Sequence, residues 1–199
     1  MISTVQELLN TATITTLPSR CDSPPALVGF EAERYQGIWF DQQHTADVWY
    51  LNDSDTCGQV EYTDLDLDTG KFKVHNTSQP EDLSDRTGIR GEAYCPDTTG
   101  QCFVSFGSPY PENSNYKIAS TDYETYSIVY SCYNAFKPKL WILTRDSIMS
   151  RELYGKTRAI IADLLPNYNK DFDSEMNHFQ YQGEMCTYNT LPTEIFQWK

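Results

Sequence analysis

The stretch that governs the fold runs from Tyr116 to Arg145 and reads YKIASTDYETYSIVYSCYNAFKPKLWILTR. Its runs of Tyr, Ile, Val and Thr are typical of β-strands, and polar turn residues separate them. Working outward, the same succession of strand-like runs and turns extends back to Gly37. This pattern predicts an antiparallel sandwich or barrel and disfavours a parallel α/β fold. The eight predicted strands lie near residues 37–44, 58–66, 71–77, 87–95, 101–107, 115–121, 125–133 and 138–145.

Beyond the last of these strands, the pattern changes to that of one helix. Ser150 can cap its first turn, and Pro166 is expected to end it. A short strand near residues 178–182 follows. A chain of strands that ends in one amphipathic helix fits a barrel with the helix on its outer wall. The apolar residues that recur near helical spacing are Leu153, Ile160, Ile161 and Leu164.

The composition of the 199-residue chain narrows the functional classes. A hydrophobic content of 39% is enough for a folded core, and no linker divides the chain. The formal net charge of −13 disfavours nucleic acid and anionic membrane surfaces as partners, because both would repel this surface. No run approaches the ~20 apolar residues of a membrane span. Residues 1–21 do not resemble a signal peptide, so either a signal has been removed or the sequence is partial.

The six cysteines predict disulfides and no metal site. None forms a CxxC pair, and the three histidines, His44, His75 and His178, are far from them in sequence, so zinc is disfavoured. Disulfides indicate an oxidising compartment, and we expect an extracellular, secreted protein. Glycosylation sequons at Asn52 and Asn76 are compatible with secretion.

Three short motifs occur in an order that resembles the lipocalin family. The block from Tyr116 to Cys132 is similar to the subgroup that contains apolipoprotein D, retinol-binding protein, bilin-binding protein and crustacyanin. The resemblance covers residues 21–186, interpreted as one barrel domain, with an N-terminal extension at 1–20 and a C-terminal tail at 187–199. The three motifs are Gly37-Ile38-Trp39, Thr121-Asp122-Tyr123 and Arg145, and the numbered signature residues are Gly37, Trp39, Thr121, Asp122, Tyr123 and Arg145.

The resemblance implies an all-β fold: an eight-stranded antiparallel up-and-down β-barrel, or calyx, with one C-terminal α-helix packed on its wall. In this family Trp39 would close the barrel floor. Arg145 would lie across its ring in a cation–π contact worth about 0.5–2 kcal/mol.

The resemblance also implies how four of the cysteines pair. Cys21 would bond Cys132, and Cys57 would bond Cys186. Cys95 and Cys102 then remain. They bracket a hairpin turn whose two strands come close enough for a third bridge, a pair that the family generally lacks.

Alternation along the strands predicts which side chains face the interior. If Cys132 faces outward to reach its partner, Tyr126, Ile128 and Tyr130 on the same strand also face outward. The small inward residues of that strand favour a cavity, although the same interior residues could instead pack a narrow barrel. The predicted ligand-lining residues are Phe72, Val74, Val104, Phe106, Tyr116, Ile118, Ser127, Val129, Trp141 and Leu143.

Residues near the predicted barrel mouth raise three further points. Trp49 and Tyr50 can cap a bound ligand, dock on another subunit or pack locally. Asn76 presents a conflict, because alternation directs it inward whereas a used glycosylation site must face solvent. Either the strand ends there or the sequon is unused. His44 could bind haem, but no second feature supports this.

The resulting hypothesis is a carrier of a small hydrophobic ligand that is not an enzyme. The lining fits a carotenoid, bilin, retinoid, steroid or fatty acid. No cofactor is required, although a carotenoid or biliverdin-like chromophore is compatible with the site. One alternative is a rim- or wall-mediated interaction or pigment-assembly subunit in a homo- or hetero-oligomer. A lipocalin-type isomerase is disfavoured, because such enzymes use an activated cysteine and the six cysteines pair without remainder.

Overall fold

The computed structural model describes residues 21–46, 48–52, 54–82, 84–107, 109–132, 137–169 and 178–188. The predicted N-terminal extension and residues 189–199 of the predicted tail lie outside the described residues. The strands are β1 (Gly37–His44), β2 (Thr56–Asp66), β3 (Lys71–Gln79), β4 (Thr87–Tyr94), β5 (Gln101–Ser105), β6 (Tyr116–Thr121), β7 (Tyr126–Cys132), β8 (Pro138–Thr144) and β9 (His178–Phe179). The helices are α1 (Ala32–Tyr35), α2 (Arg151–Leu164) and α3 (Pro166–Asn169).

The first eight strands form a closed antiparallel barrel, which confirms the predicted fold. Each strand pairs with the next from β1 to β8, and β1 also pairs with β8. The register of closure places Phe40 opposite Gln59 on one side and Thr144 on the other. Trp39 lies near the start of β1, and its fully buried side chain belongs to the core inside the barrel.

The boundaries of the eight barrel strands differ from the predicted ones by no more than two residues, but three short elements were not predicted as the structure has them. β9 covers only His178–Phe179, and α1 and α3 are single turns of four residues each. Pro166 ends α2 as predicted and then begins α3. Proline is tolerated in the first turn of a helix, because its missing N–H would have no helical partner there.

Helix α2 begins where its sequence predicts and covers the wall made by β7 and β8. The hydroxyl of Ser150 accepts a hydrogen bond from the backbone N–H of Leu153 at 3.1 Å, which caps the first turn. The helix buries the β7 residues that alternation directs outward. This outer core comprises Ala119, Tyr126, Ile128, Tyr130, Leu140, Ile142, Ile161, Leu165 and Tyr168.

Three disulfides join the chain in the structure. The pairs are Cys21–Cys132, Cys57–Cys186 and Cys95–Cys102, with Cα atoms 6.0, 5.5 and 4.2 Å apart. The first two link segments that are more than a hundred residues apart, whereas the third spans the β4–β5 hairpin. None of the helices in the described ranges is long and apolar enough to cross a membrane.

Residues 178–188, called the C-terminal segment below, seal the wall between β1 and β2. These two strands pair from Gly37 to Phe40. Nearer the mouth, the side-chain amide of Gln182 donates hydrogen bonds to the carbonyls of Asp41 and Gly58, both at 2.7 Å. The backbone N–H of Cys57 also donates to the Tyr181 carbonyl at 2.8 Å. The C-terminal segment thus takes the place of direct pairing between β1 and β2 at this point.

Candidate functional site

The barrel floor is organised around Trp39 and Arg145. The Arg145 guanidinium lies 3.8 Å from the centre of the Trp39 ring. It donates to the carbonyl of Ile38 at 2.7 Å and to that of Tyr123 at 2.9 Å, and it bonds two more carbonyls at the end of α1. The Trp39 indole N–H donates to the Tyr35 carbonyl at 2.9 Å. A layer of side chains and backbone groups joined by hydrogen bonds closes this end of the barrel.

The second and third motifs meet in the same layer. Asp122 accepts backbone hydrogen bonds from Thr125 at 2.8 Å and Tyr126 at 3.1 Å, and the Lys156 ammonium lies 3.3 Å away. Burial opposes ionisation of Asp122, but these bonds outweigh it and lower its pKa to about 2. Thr121 bonds the Tyr126 carbonyl at 2.7 Å. These residues hold the β6–β7 turn and therefore support the fold rather than the ligand.

Gly37, the first residue of the first motif, has a backbone that favours glycine. Its φ of +91° lies in the left-handed region, and a Cβ there would stand 3.5 Å from the Arg145 guanidinium. Glycine therefore lets β1 begin directly beneath Arg145.

A packed layer of side chains lies above the floor and fills the lower half of the barrel. It is bridged by hydroxyl contacts from Ser127 to Tyr35 at 2.8 Å, Tyr35 to Tyr116 at 3.2 Å and Tyr116 to Tyr62 at 2.6 Å. Burial raises the pKa of Tyr35 to about 12 and the pKa values of Tyr62 and Tyr116 well above 10.0. The phenols stay protonated at neutral pH, so each can donate. Phe72, Ile118, Ser127 and Val129 from the predicted lining are buried at this depth.

A cavity of about 580 Å³ opens between the packed layer and the barrel mouth. Its wall contains six of the strand residues predicted to line it, together with Trp49 and Tyr50. Val60 and Tyr62 on β2 also line it and were not predicted, although both alternate within the predicted second strand. The apolar and aromatic lining residues are Val48, Trp49, Tyr50, Leu51, Val60, Tyr62, Val74, Val104, Phe106, Tyr116, Trp141 and Leu143.

Three aromatic side chains gather at the mouth. The ring centres of Trp49 and Tyr50 lie 5.8 and 5.7 Å from that of Phe106, and Trp49 meets Tyr50 edge-on at 5.6 Å. Trp49 is nevertheless 70% exposed. The loop after β1 thereby folds part of the way across the opening.

Polar side chains in the cavity wall lie mostly toward the mouth. The Asn115 amide accepts a hydrogen bond from the Val104 backbone N–H at 2.8 Å and donates one to the Val104 carbonyl at 3.0 Å. Lys139 donates to the Ala46 carbonyl, and Lys137 is exposed. The polar lining residues are Asp41, Gln59, Asn76, Thr77, Asn115, Ser131, Lys137 and Lys139.

The two sequons and the mouth histidine have different surroundings. Asn52 is exposed in the loop before β2, whereas Asn76 lines the cavity. The alternative that the third strand ends at Asn76 is wrong, because β3 continues to Gln79. A glycan on Asn76 would have to occupy the cavity. His44 is buried as the last residue of β1, where its Nδ1 lies 2.8 Å from an Asp41 carboxylate oxygen.

Comparison with known proteins identifies the family of this chain. Residues 30–169 match the family model described as a lipocalin-like domain. The chain belongs to the lipocalin family. Among the relatives of this lipocalin, apolipoprotein D of Macaca fascicularis is 30% identical over 158 residues, which are 76% of this chain and 78% of the relative. The Lazarillo protein of Schistocerca americana is 29% identical over 77% of this chain and 71% of its own.

A solved structure agrees with this assignment at the level of the fold. Insecticyanin from the tobacco hornworm Manduca sexta superposes with a TM-score of 0.66 at 18% identity. The match covers 86% of this lipocalin and 92% of insecticyanin. At this identity the similarity concerns the barrel and its helix rather than the contents of the cavity.

Proposed function

We propose that this lipocalin is an extracellular carrier that binds a small hydrophobic ligand inside its barrel. The observation that supports this most strongly is the cavity of about 580 Å³ with a wall of aromatic and aliphatic side chains. Ligand pockets usually measure about 300–1,000 Å³ and combine an apolar wall with a few polar groups. The packed layer below the cavity gives it a fixed depth, and the aromatic mouth gives it a partial cover.

The shape of the wall favours a flat or extended apolar molecule. Rings from Tyr62, Phe106, Tyr116 and Trp141 supply broad faces against which a conjugated or polycyclic ligand can stack. A carotenoid, bilin, retinoid, steroid or fatty acid meets this requirement, and a coloured chromophore would be cargo rather than a required cofactor. The three disulfides support an extracellular setting, since such bonds persist in oxidising compartments.

The alternative functions have weaker support. The β7 wall that could serve as an interaction surface is covered by α2, and Tyr126, Ile128 and Tyr130 are buried beneath it. The exposed Trp49 keeps a rim-mediated interaction as the second candidate. A thiol-dependent isomerase is not supported, because all six cysteines are in disulfides.

The proposal can be tested on the natural protein and on matched variants. An absorption spectrum and mass spectrometry of an organic extract should reveal a bound pigment or lipid. For the stripped protein, retinol should quench tryptophan fluorescence, and a fatty acid that binds in the same cavity should displace retinol and reverse the quenching. Val104→Trp places an indole in the cavity and should weaken binding by about tenfold or more. Val28→Trp is the matched control, because Val28 is 90% exposed and should leave binding unchanged. Equal affinities for the two variants would argue against the cavity as the binding site.

A further inference from the structure

Asp41 carries a carboxylate oxygen that no described residue satisfies. It lies on β1 two residues beyond Trp39, lines the cavity and is only 7% exposed. Its Oδ2 bonds His44 Nδ1 at 2.8 Å. Among the described residues, no donor lies within hydrogen-bond distance of Oδ1, which is itself buried.

An acceptor in this state is unusual because buried carboxylate oxygens normally have donors. Leaving a buried polar group unpaired costs about 1–3 kcal/mol, and more when the group is charged. The side-chain amide of Gln182 is close, but it bonds the backbone carbonyl of Asp41 rather than the carboxylate. The unpaired oxygen is therefore available to accept a hydrogen bond from a ligand in the cavity.

The charge of Asp41 is also incompletely balanced. Its partner is the His44 imidazole, which offsets the carboxylate charge only when protonated, and no lysine or arginine of the described ranges forms an ion pair with it. The two lysines of the cavity wall are committed elsewhere. Lys139 donates to the Ala46 carbonyl, and Lys137 is solvated at the mouth. A cation is the species that both supplies donors and offsets the charge.

Glycine at position 58 leaves room for the side chains of Asp41 and Gln180. A Cβ at Gly58 would lie 3.1 Å from the Asp41 Cβ and 3.2 Å from the Gln180 side-chain oxygen, so a larger residue would crowd both. Tyr50 lies on the same wall, where burial raises its pKa and the Asp41 carboxylate raises it further. Tyr50 consequently remains a neutral phenol whose ring, like that of Trp141, can face a cation.

We propose that Asp41 anchors the protonated amine of a hydrophobic amine ligand in this cavity. The inference rests on the proposed carrier function, because it concerns the same site, and it specifies the chemistry of the ligand. An ammonium group donates to Oδ1 and compensates the carboxylate. A hydroxyl group would donate without compensating the charge, and an anionic head group would be repelled by Asp41.

The test compares three probes that share one apolar ring system: naphthylmethylamine, naphthylmethanol and naphthoate. Binding to the full oxidised chain, stripped of ligand, is measured by calorimetry near neutral pH, where an alkylamine is protonated. The amine should bind at least about tenfold more tightly than the alcohol, as expected for a charge-assisted hydrogen bond. Naphthoate should bind more weakly than both.

A matched pair of variants isolates the carboxylate. Asp41→Asn keeps the size of the side chain and an acceptor for His44, and it should abolish the preference for the amine while changing alcohol affinity by less than about twofold. Asp68→Asn removes the same charge from an exposed turn and should preserve the preference. If Asp41→Asn does not fold, the amine-to-alcohol ratio of the unaltered protein remains a sufficient test.

Several outcomes would overturn the anchor. They are equal binding of amine and alcohol to the unaltered protein, a preference that survives Asp41→Asn, tighter binding of naphthoate, and no binding of any probe. In each case the carrier function stands if retinol or a fatty acid still binds in a way that Val104→Trp prevents. The carrier function is contradicted together with the role of Asp41 only if retinol and the fatty acid also fail to bind.

Discussion

Arg145 connects separate parts of the barrel floor through one planar group. Its contacts with Trp39 and the Ile38 carbonyl hold β1, and its bond to the Tyr123 carbonyl holds the β6–β7 turn. Other N–H groups reach carbonyls at the end of α1. A guanidinium offers five donors in a fixed fork, whereas an ammonium offers three from a single atom.

Replacement of Arg145 by alanine should lower the free energy of unfolding by about 2–4 kcal/mol, since it leaves several carbonyls without a donor and removes the ring contact. Arg34→Ala is the matched control. Arg34 is about half exposed and pairs with two exposed glutamates, so its loss should change stability by less than about 1 kcal/mol. Urea unfolding measures the free energy of unfolding of both variants. Similar losses of stability for the two variants would contradict the structural role of Arg145.

Alternation predicts the side of each interior residue but not its depth. The eight apolar residues directed inward on the predicted third, fifth, sixth and eighth strands all belong to the core inside the barrel or pack against it. The division into packed layer and cavity depends on Tyr35 and Tyr62, whose rings stack 5.3 Å apart across the barrel. That arrangement is a long-range packing result, so no local pattern identifies it. The role of Asp41 was equally hidden, because a lone Asp in a strand has no distinctive spacing.

At the scale of elements, the β6–β7 turn and helix α2 support each other. Asp122 organises the turn through backbone N–H groups and faces Lys156 on the helix. Lys156 also lies over the ring of Tyr126 at 4.5 Å. The ion pair is partly exposed, so most of the stabilisation from Asp122 comes from the turn.

The depressed pKa of Asp122 predicts a specific acid sensitivity. The carboxyl titrates near 3.8 in the unfolded chain and at about 2 in the folded one. The unfolded state therefore takes up the proton first as pH falls. The contribution of Asp122, about 1 kcal/mol after allowance for solvent screening, should be complete above about pH 4 and lost toward about pH 2.

Urea unfolding of Asp122→Asn and the unaltered protein between about pH 5 and pH 2 checks this prediction. The stability difference between the two should narrow as the pH falls through that window. Ala162→Gln, an exposed change on α2 that removes no titratable group, should give a difference that stays constant. A stability difference between Asp122→Asn and the unaltered protein that persists at about pH 2 would contradict the lowered pKa of Asp122.

The long elements could be predicted from sequence, whereas the short ones could not. Strands with period-two alternation and a helix with a serine cap and an apolar stripe carry strong local signals. β9 and α1 contain two and four residues, too few for any period to appear. They form because the chain around them is held, β9 by pairing with β1 and α1 by carbonyl bonds to Arg145.

For the whole molecule, the disulfides differ greatly in the chain that they enclose. Cys57–Cys186 joins residues 129 positions apart, whereas Cys95–Cys102 joins residues 7 apart. In the chain-entropy model, the first would stabilise by about 5 kcal/mol and the second by about 2 kcal/mol. The Cys57–Cys186 disulfide also holds the C-terminal segment against the gap between β1 and β2, and the resulting native contacts add to its stabilising effect.

Replacing both cysteines of one pair by serine should therefore have unequal effects. Loss of Cys57–Cys186 should lower the unfolding midpoint more than loss of Cys95–Cys102, and it should also weaken ligand binding because Gln182 would no longer be held between the strands. Denaturant unfolding and the fluorescence titration measure the two effects. An equal loss of stability would show that enclosed chain length does not set the contribution of these bridges.

The contact of the C-terminal segment with β1 and β2 also affects when the barrel can close during synthesis. β1 leaves the ribosome before two of its partners, β8 and the C-terminal segment around Gln182, have been synthesised. Chains emerge at about 5–20 residues per second, so β1 spends seconds with exposed edges before closure is available. The nascent chain thus has no finished cavity to load, and cargo can be received only after translation has delivered the C-terminal segment.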